Sequence, residues 1–107
     1  MEHLLDTISD LPAEPVDPAQ VVTGSPTTGF RALAAVAGAE VGVWEITPGV
    51  MTDVEVDEVF VILSGSATVT FDDGEVLELR PGVAARLREG DHTTWTVHET
   101  LRKVYVS

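Results

Sequence analysis

The residue in this chain whose surroundings most demand an explanation is Glu58. It heads the run Glu58-Val59-Phe60-Val61-Ile62-Leu63, whose β-branched and aromatic content suits a pleated strand. Side chains alternate between the two faces of a strand, so Glu58 shares one row with Phe60 and Ile62. Val59, Val61 and Leu63 form the other row. Both rows are apolar beyond Glu58, which predicts a central strand covered on both sides. A carboxylate at the head of an apolar row needs a countercharge, a metal or a raised pKa. Read functionally, it is an acid, base or anchor in a pocket. Read structurally, it is a carboxylate satisfied by its neighbours. Lys103 is the candidate countercharge, since a buried carboxylate left alone is costly. Parity places Lys103 with Leu101 and Tyr105, a mixed row, and the plain alternative is a surface lysine.

The other chemistry-bearing residues read more plainly. Trp44 and Trp95, taken alone, are core residues. Trp44 and Glu45 are adjacent and cannot both face inward along a regular strand, and Trp44 is the better inward candidate. His92, beside Asp91, reads as a surface histidine in a turn. His98 lies past the end of its strand and His3 lies in the leader. Asp53, Glu55 and Asp57 alternate with Val54 and Val56, which predicts three carboxylates on one solvated strand face; a calcium site would need more oxygens from a curved loop. Arg86, Arg88, Arg102 and Lys103 are too sparse for a nucleic-acid surface. No serine sits in a nucleophile elbow, and no glycine-rich phosphate loop is present.

These residues must be positioned by strands. In residues 1–20, Pro12, Pro15 and Pro18 fix φ and remove donors, so the stretch from Leu11 to Ala19 is expected to be an extended arm. Leu4, Leu5 and Ile8 would form at most one helical turn, which is marginal alone. The arm is either a loose leader or a strap over a sheet or a partner subunit. Ala32 to Ala37 has helical propensity, yet it is short, bounded by Gly29 and Gly38, and set among strands; it is read as a strand. Val41 to Ile46 is a strand closed by Thr47-Pro48-Gly49. Thr52 to Leu63 is expected to be one long strand turned by Ser64-Gly65. Ala67–Phe71 and Glu75–Leu79 flank a hairpin at Asp72-Asp73-Gly74. Val83–Leu87 follows the turn at Pro81-Gly82. After the turn Arg88 to Asp91, Thr93–Val97 and Leu101–Val106 complete the set. Short strands at even spacing predict an all-β sandwich or jelly roll.

Composition narrows the function classes. At 107 residues the chain is one domain, and 44% hydrophobic content argues for a folded core. A net charge of −12 disfavours nucleic acid and anionic membranes as partners. With no cysteine there are no disulfides, thiol nucleophiles or thiolate zinc sites, which fits a reducing cytoplasm. The first residues lack the basic region of a signal peptide, and no stretch approaches the roughly 20 apolar residues of a membrane helix.

Gly42-Val43-Trp44-Glu45-Ile46-Thr47-Pro48-Gly49 resembles the GxWExTPG segment of small cupins, in particular the ureidoglycine aminohydrolase-type cupin domain family. Glu58, six residues and Gly65 resemble the end of the first cupin motif. Gly82, five residues and Arg88-Glu89-Gly90 resemble the second, with Arg88 in place of the usual proline. Trp95 and Leu101-Arg102-Lys103-Val104-Tyr105 are similar to the family's ending. The resemblance covers about residues 21–106 and implies a double-stranded β-helix, a jelly-roll barrel over 21–107 with a pocket at its mouth, preceded by the arm 1–20. It moves Trp44 and Trp95 to the pocket wall, with Glu58, Lys103, Phe60 and Tyr105. By spacing, the family's His-x-His pair falls on Thr52 and Val54, on the face of Glu58, and the third histidine falls on Thr93. None of these replaces an imidazole ligand, so no metal and no cofactor is expected. Three functions follow: a metal-free cupin binding a small polar metabolite, a ureidoglycine aminohydrolase-like enzyme acting on a small nitrogenous metabolite, or a non-catalytic interaction module with a filled barrel. A homodimer is expected, because the arm and the row Val59, Val61 and Leu63 both call for cover.

Overall fold

The computed structural model describes residues 3–107 and is built from nine strands: β1 (Glu14–Pro15), β2 (Val21–Thr23), β3 (Thr27–Val36), β4 (Ala39–Ile46), β5 (Gly49–Val54), β6 (Glu58–Phe71), β7 (Val76–Leu79), β8 (Ala84–Leu87) and β9 (His92–Val106). Among the described residues there is no helix, hence none long and apolar enough to cross a membrane.

Two long strands, β6 and β9, hold the molecule together, because each belongs to two sheets. The second half of β9 pairs with β4 (Trp44 opposite Lys103) and with the start of β6 (Ile62 opposite Lys103). With β3 beside β4 and β8 beside β6, this makes the first sheet. The first half of β9 pairs with β5 (Met51 opposite Trp95) and with the end of β6 (Val69 opposite Trp95). With β2 and β7 at its edges, this makes the second. The core lies between them, with Ile46, Phe60, Ile62 and Leu101 from the first sheet meeting Met51, Val69, Trp95 and Val97 from the second.

The bend that divides β6 is where the sequence expectation fails. Ser64-Gly65 is not a turn: β6 runs through it, with register irregularities from Ile62 to Ala67. Phe60 and Ile62 face the core before the bulge, Ala67 and Val69 after it, so the inward row passes from even to odd numbers. An extra residue in one strand does this and turns the strand sharply enough to change sheets. Gly65 sits at φ +87° against the Thr100 carbonyl, where any Cβ would collide with backbone. Likewise Thr93–Val97 and Leu101–Val106 are one strand. The expected strand Thr52–Leu63 is instead interrupted at residues 55–57. The segment 32–36 is strand, as the flanking glycines indicate.

The arm lies along the outer face of the first sheet. β1 pairs with β3, and Gly29 leaves room for the Pro12 carbonyl against that sheet. Arg102 donates to the Thr7 and Ser9 carbonyls at 2.9 and 2.8 Å, and Arg31 to the Asp10 carbonyl at 3.0 Å. No helical turn forms, and Leu4 and Ile8 are exposed. Hydrogen bonds from Ser9 and the Ile8 amide hold the Asp6 carboxyl down at about 2, helped by Arg31. The row Val59, Val61 and Leu63 is 47%, 40% and 39% exposed, so the single chain does not itself cover this face of β6.

Gly65→Ala is expected to lower stability by at least about 2 kcal/mol, since it combines a left-handed φ with a backbone clash. Urea unfolding measures this, and an unchanged midpoint would mean that the corner accepts a side chain.

Candidate functional site

The site grows from Lys103. Strand pairing sets Lys103 between Trp44 of β4 and Ile62 of β6, with Phe60 on the diagonal, so its side chain enters the barrel. Its Nζ lies 4.5 Å from the Trp44 ring centre, 4.6 Å from Phe60 and 5.1 Å from Trp95. The rings pack against one another, with Trp44 and Trp95 edge to face at 5.7 Å. The ammonium also meets Glu58 Oε2 at 2.5 Å, both side chains being nearly buried. Glu58 opens β6 because the chain has just turned through 55–57, and that step aims it inward beside β9.

The turn at 55–57 is itself pinned. The Glu55 amide donates to the Asp91 carbonyl at 2.8 Å, and the Gly90 amide donates back to the Glu55 carbonyl at 2.9 Å. Asp57 accepts from the Glu89 amide at 3.0 Å. The Glu55 side chain, 8% exposed, then enters the barrel. Its Oε2 accepts from the Thr93 hydroxyl at 2.6 Å and from the Trp95 indole N–H at 2.9 Å.

Parity on β5 is therefore the reverse of the expectation. Met51 is buried, Asp53 half-buried and Glu55 buried, whereas Thr52 and Val54 are exposed. The three carboxylates do not share a solvated face: Asp53 reaches the pocket rim, Glu55 the interior, and Asp57 a neighbouring turn. Burial, together with the Glu55 charge, raises the Asp53 pKa, against the opposing hydrogen bond from the Val54 amide. Tyr105 packs its ring over Gly42 and donates to Glu40 Oε2 at 2.6 Å. Burial and that carboxylate push its phenol upward, so it stays a neutral donor.

Glu58, Lys103, Trp44, Trp95 and Tyr105 line a recess of about 290 Å³ at the mouth of the barrel, and Phe60 packs beneath them. Thr93 is buried behind Glu55. Val54 touches only the rim, and Thr52 lies on the outer face. The recess also contains Asp53, Glu55, Met51 and Phe30, which the sequence reading missed. The available signal was spacing: four residues, rather than three, between the inward pair and Glu58 gives Met51 and Asp53. A larger outer recess of about 420 Å³ gathers Thr52, His92, Gln20 and Asp72. It has no aromatic wall. His92 is exposed, and His98 meets only Thr68, at 3.0 Å. Glu45 faces the arm and pairs with Arg102 at 3.1 Å.

The jelly-roll fold implies a metal centre in many barrels of this shape, but these residues do not fit one. The equivalent positions carry Met51, Asp53, Glu58 and Thr93, and the Glu58 carboxylate holds Lys103. Among the described residues no three His, Cys, Asp or Glu converge as metal ligands.

Two facing sheets sharing bent strands, with a recess at one end, define a cupin jelly-roll barrel. Residues 33–105 match the EutQ-like cupin domain family, and the chain belongs to it. Among solved structures it is similar to a protein of unknown function of the DUF861 family from Pseudomonas syringae pv. tomato, at 22% identity and TM-score 0.81, covering 95% of this chain and 46% of that one. It is also similar to the EutQ protein of Clostridium difficile (16%, TM-score 0.64, 76% and 61% covered). A putative ethanolamine utilization protein Q from Salmonella typhimurium is similar at 15% identity and TM-score 0.64, with 92% and 96% covered. The chain thus spans under half of the Pseudomonas protein and about three-fifths of the Clostridium one. These likenesses carry the fold. No curated protein matches the chain.

Two outcomes follow from this geometry. Glu58→Gln and Lys103→Met are each expected to cost roughly 3–5 kcal/mol by stranding a buried charge, and the double variant to recover much of it. A denaturation cycle in which the single effects simply add would show the contact to be energetically idle. For Asp53 the folded pKa lies above the ordinary 3.8, so the native state keeps a proton the unfolded chain has lost. Its contribution to stability therefore falls as pH rises through that window. Asp53→Asn is expected to be more stable than the parent above the window and equal to it below, measured as paired unfolding midpoints. A gain independent of pH would assign the effect to something other than ionisation.

Proposed function

We propose that this protein is a cupin that binds a small polar metabolite in the recess at the barrel mouth, without a resident transition metal. The observation that carries the reading is the wall itself: aromatic faces of Trp44, Phe30 and Trp95 beside Asp53, Glu55 and Glu58. Concave sites with apolar walls and a few placed polar groups are where small molecules bind, and about 290 Å³ suits a small metabolite. A barrel serving only as an interaction module has no use for polar groups held at an open recess. One observation supports the catalytic alternative, an enzyme acting on a small nitrogenous metabolite. Asp53 has a raised pKa beside a second carboxylate, the arrangement from which proton transfer is built.

Thermal unfolding of the full chain against a panel of acidic, neutral and basic metabolites tests the reading. A ligand at one hundred times its Kd should stabilise by about 2.7 kcal/mol. Val56→Trp, which fills the recess from an exposed rim position, should abolish that gain. Stabilisation that survives Val56→Trp, or a panel without any hit, overturns the pocket. Mass analysis of each hit after incubation separates binding from turnover.

A further inference from the structure

The hydrogen-bonding inventory of the recess is lopsided. All but one of its side-chain donors are already engaged. Trp95 N–H and the Thr93 hydroxyl serve Glu55, the Tyr105 hydroxyl serves Glu40, and Lys103 serves Glu58 beneath the rings. The Trp44 indole N–H is the one side-chain donor of the wall without a partner among the described residues. The acceptors are not used up. Glu55 Oε1, Asp53 Oδ2 and Glu58 Oε1 have no hydrogen-bond partner among the described residues and keep solvent access. Three carboxylates face one ammonium, in a chain that is already strongly acidic. The walls are ring faces, which carry negative potential.

From this inventory we infer that the recess takes a small organic cation, a primary ammonium or a similar N–H-rich head on a short apolar body, and not a carboxylate or phosphate. The inference rests on the pocket reading above and names its ligand class. Ionised carboxylates only accept, so a complementary ligand must bring the protons. The head would sit between Asp53 and Glu55, two carboxylates lining the same recess; burial first, and the Glu55 charge second, raise the Asp53 pKa, and a cation between them would favour its ionised form. The body would lie against Trp44 and Phe30. An anion there would meet Asp53, Glu55 and Glu58 with its lone pairs toward theirs, and Lys103 could turn to it only by releasing Glu58.

The chain has two tryptophans, both on this wall, so its two indole N–H signals report the recess directly. The test is a titration of the ¹⁵N-labelled full chain with n-butylammonium, butyrate or n-butanol, probes alike in body and different in head. Butylammonium is expected to shift both signals saturably, at least about tenfold more tightly than the other two, as one charge-assisted hydrogen bond provides. Asp53→Asn and Glu55→Gln should each weaken it about tenfold while leaving butanol unchanged, and the exposed Glu89→Gln should do nothing. Should Glu55→Gln fail to fold, Asp53→Asn at the rim carries the test. Butyrate or butanol binding as tightly as the ammonium overturns the cation while leaving the pocket intact. An ammonium response that is indifferent to both carboxylate variants overturns it equally. If none of the three probes shifts the indoles, the pocket reading falls and the ligand class falls with it.

Discussion

The interaction on which the rest of this barrel depends is the Lys103 ammonium held between Glu58 and three aromatic rings. Removing an ammonium from water costs several kcal/mol even after relaxation, so a buried lysine exists only where neighbours replace its hydration. Here the replacement is one carboxylate and the faces of Trp44, Phe60 and Trp95, and those four groups come from β4, β6 and β9. For Glu58 to reach Lys103, β6 must begin where the chain emerges from the turn at 55–57. That turn in turn carries Glu55 into the barrel and Asp57 onto the Arg88–Asp91 loop. The start of β6 and the turn before it are thus tied to a single cation.

Its neighbour gives the same constraint on the opposite face. Arg102 is also buried, points away from the barrel, and finds Glu45 and the carbonyls of the arm. Adjacent cations on β9 therefore have separate carboxylates on opposite sides of one sheet. A one-residue slip of β9 against β4 would turn Lys103 toward the arm and Arg102 toward the rings, breaking both pairs at once. Hydrophobic burial supports the same register, since the slip would also turn the fully buried Leu101 outward. The arm takes part in that specification through its carbonyls, so it belongs to the sheet's outer layer.

The strands and most turns were legible because alternation and glycine or proline punctuation are local signals. The parts that were not legible all depend on a strand changing face. Ser64-Gly65 has the composition of a turn, but the same positive φ that serves a turn also serves a bulge, and only the partner strand decides between them. The pairing of Glu58 with Lys103 could be posed from the cost of burial, yet not settled, because residues 45 apart meet only through the register of β6 on β9. Asp53 and Glu55 were misread for a definite reason. Extending the parity of Glu58 backward assumes a continuous strand, and three non-strand residues reverse it. The exposed valines Val54 and Val56 are the counterpart of that error, apolar side chains on the outside so that two acids can be inside.

That exchange of valine for acid runs against folding. A Gln at position 55 could accept from both Thr93 and Trp95 through its amide oxygen, more weakly than Glu but without a second charge beside Asp53. Valine in place of Asp53 would remove a half-buried carboxylate whose ionisation the fold resists. Neither acid is required by the lysine, which Glu58 already neutralises. At this recess the inward positions go to acids and the outward ones to valines, a local conflict between sequence and fold. Such local departures are where a protein keeps what it needs for a ligand, because groups satisfied within the fold have nothing left to offer one. The surplus acceptors at the mouth are therefore better explained by what enters the barrel than by the barrel itself.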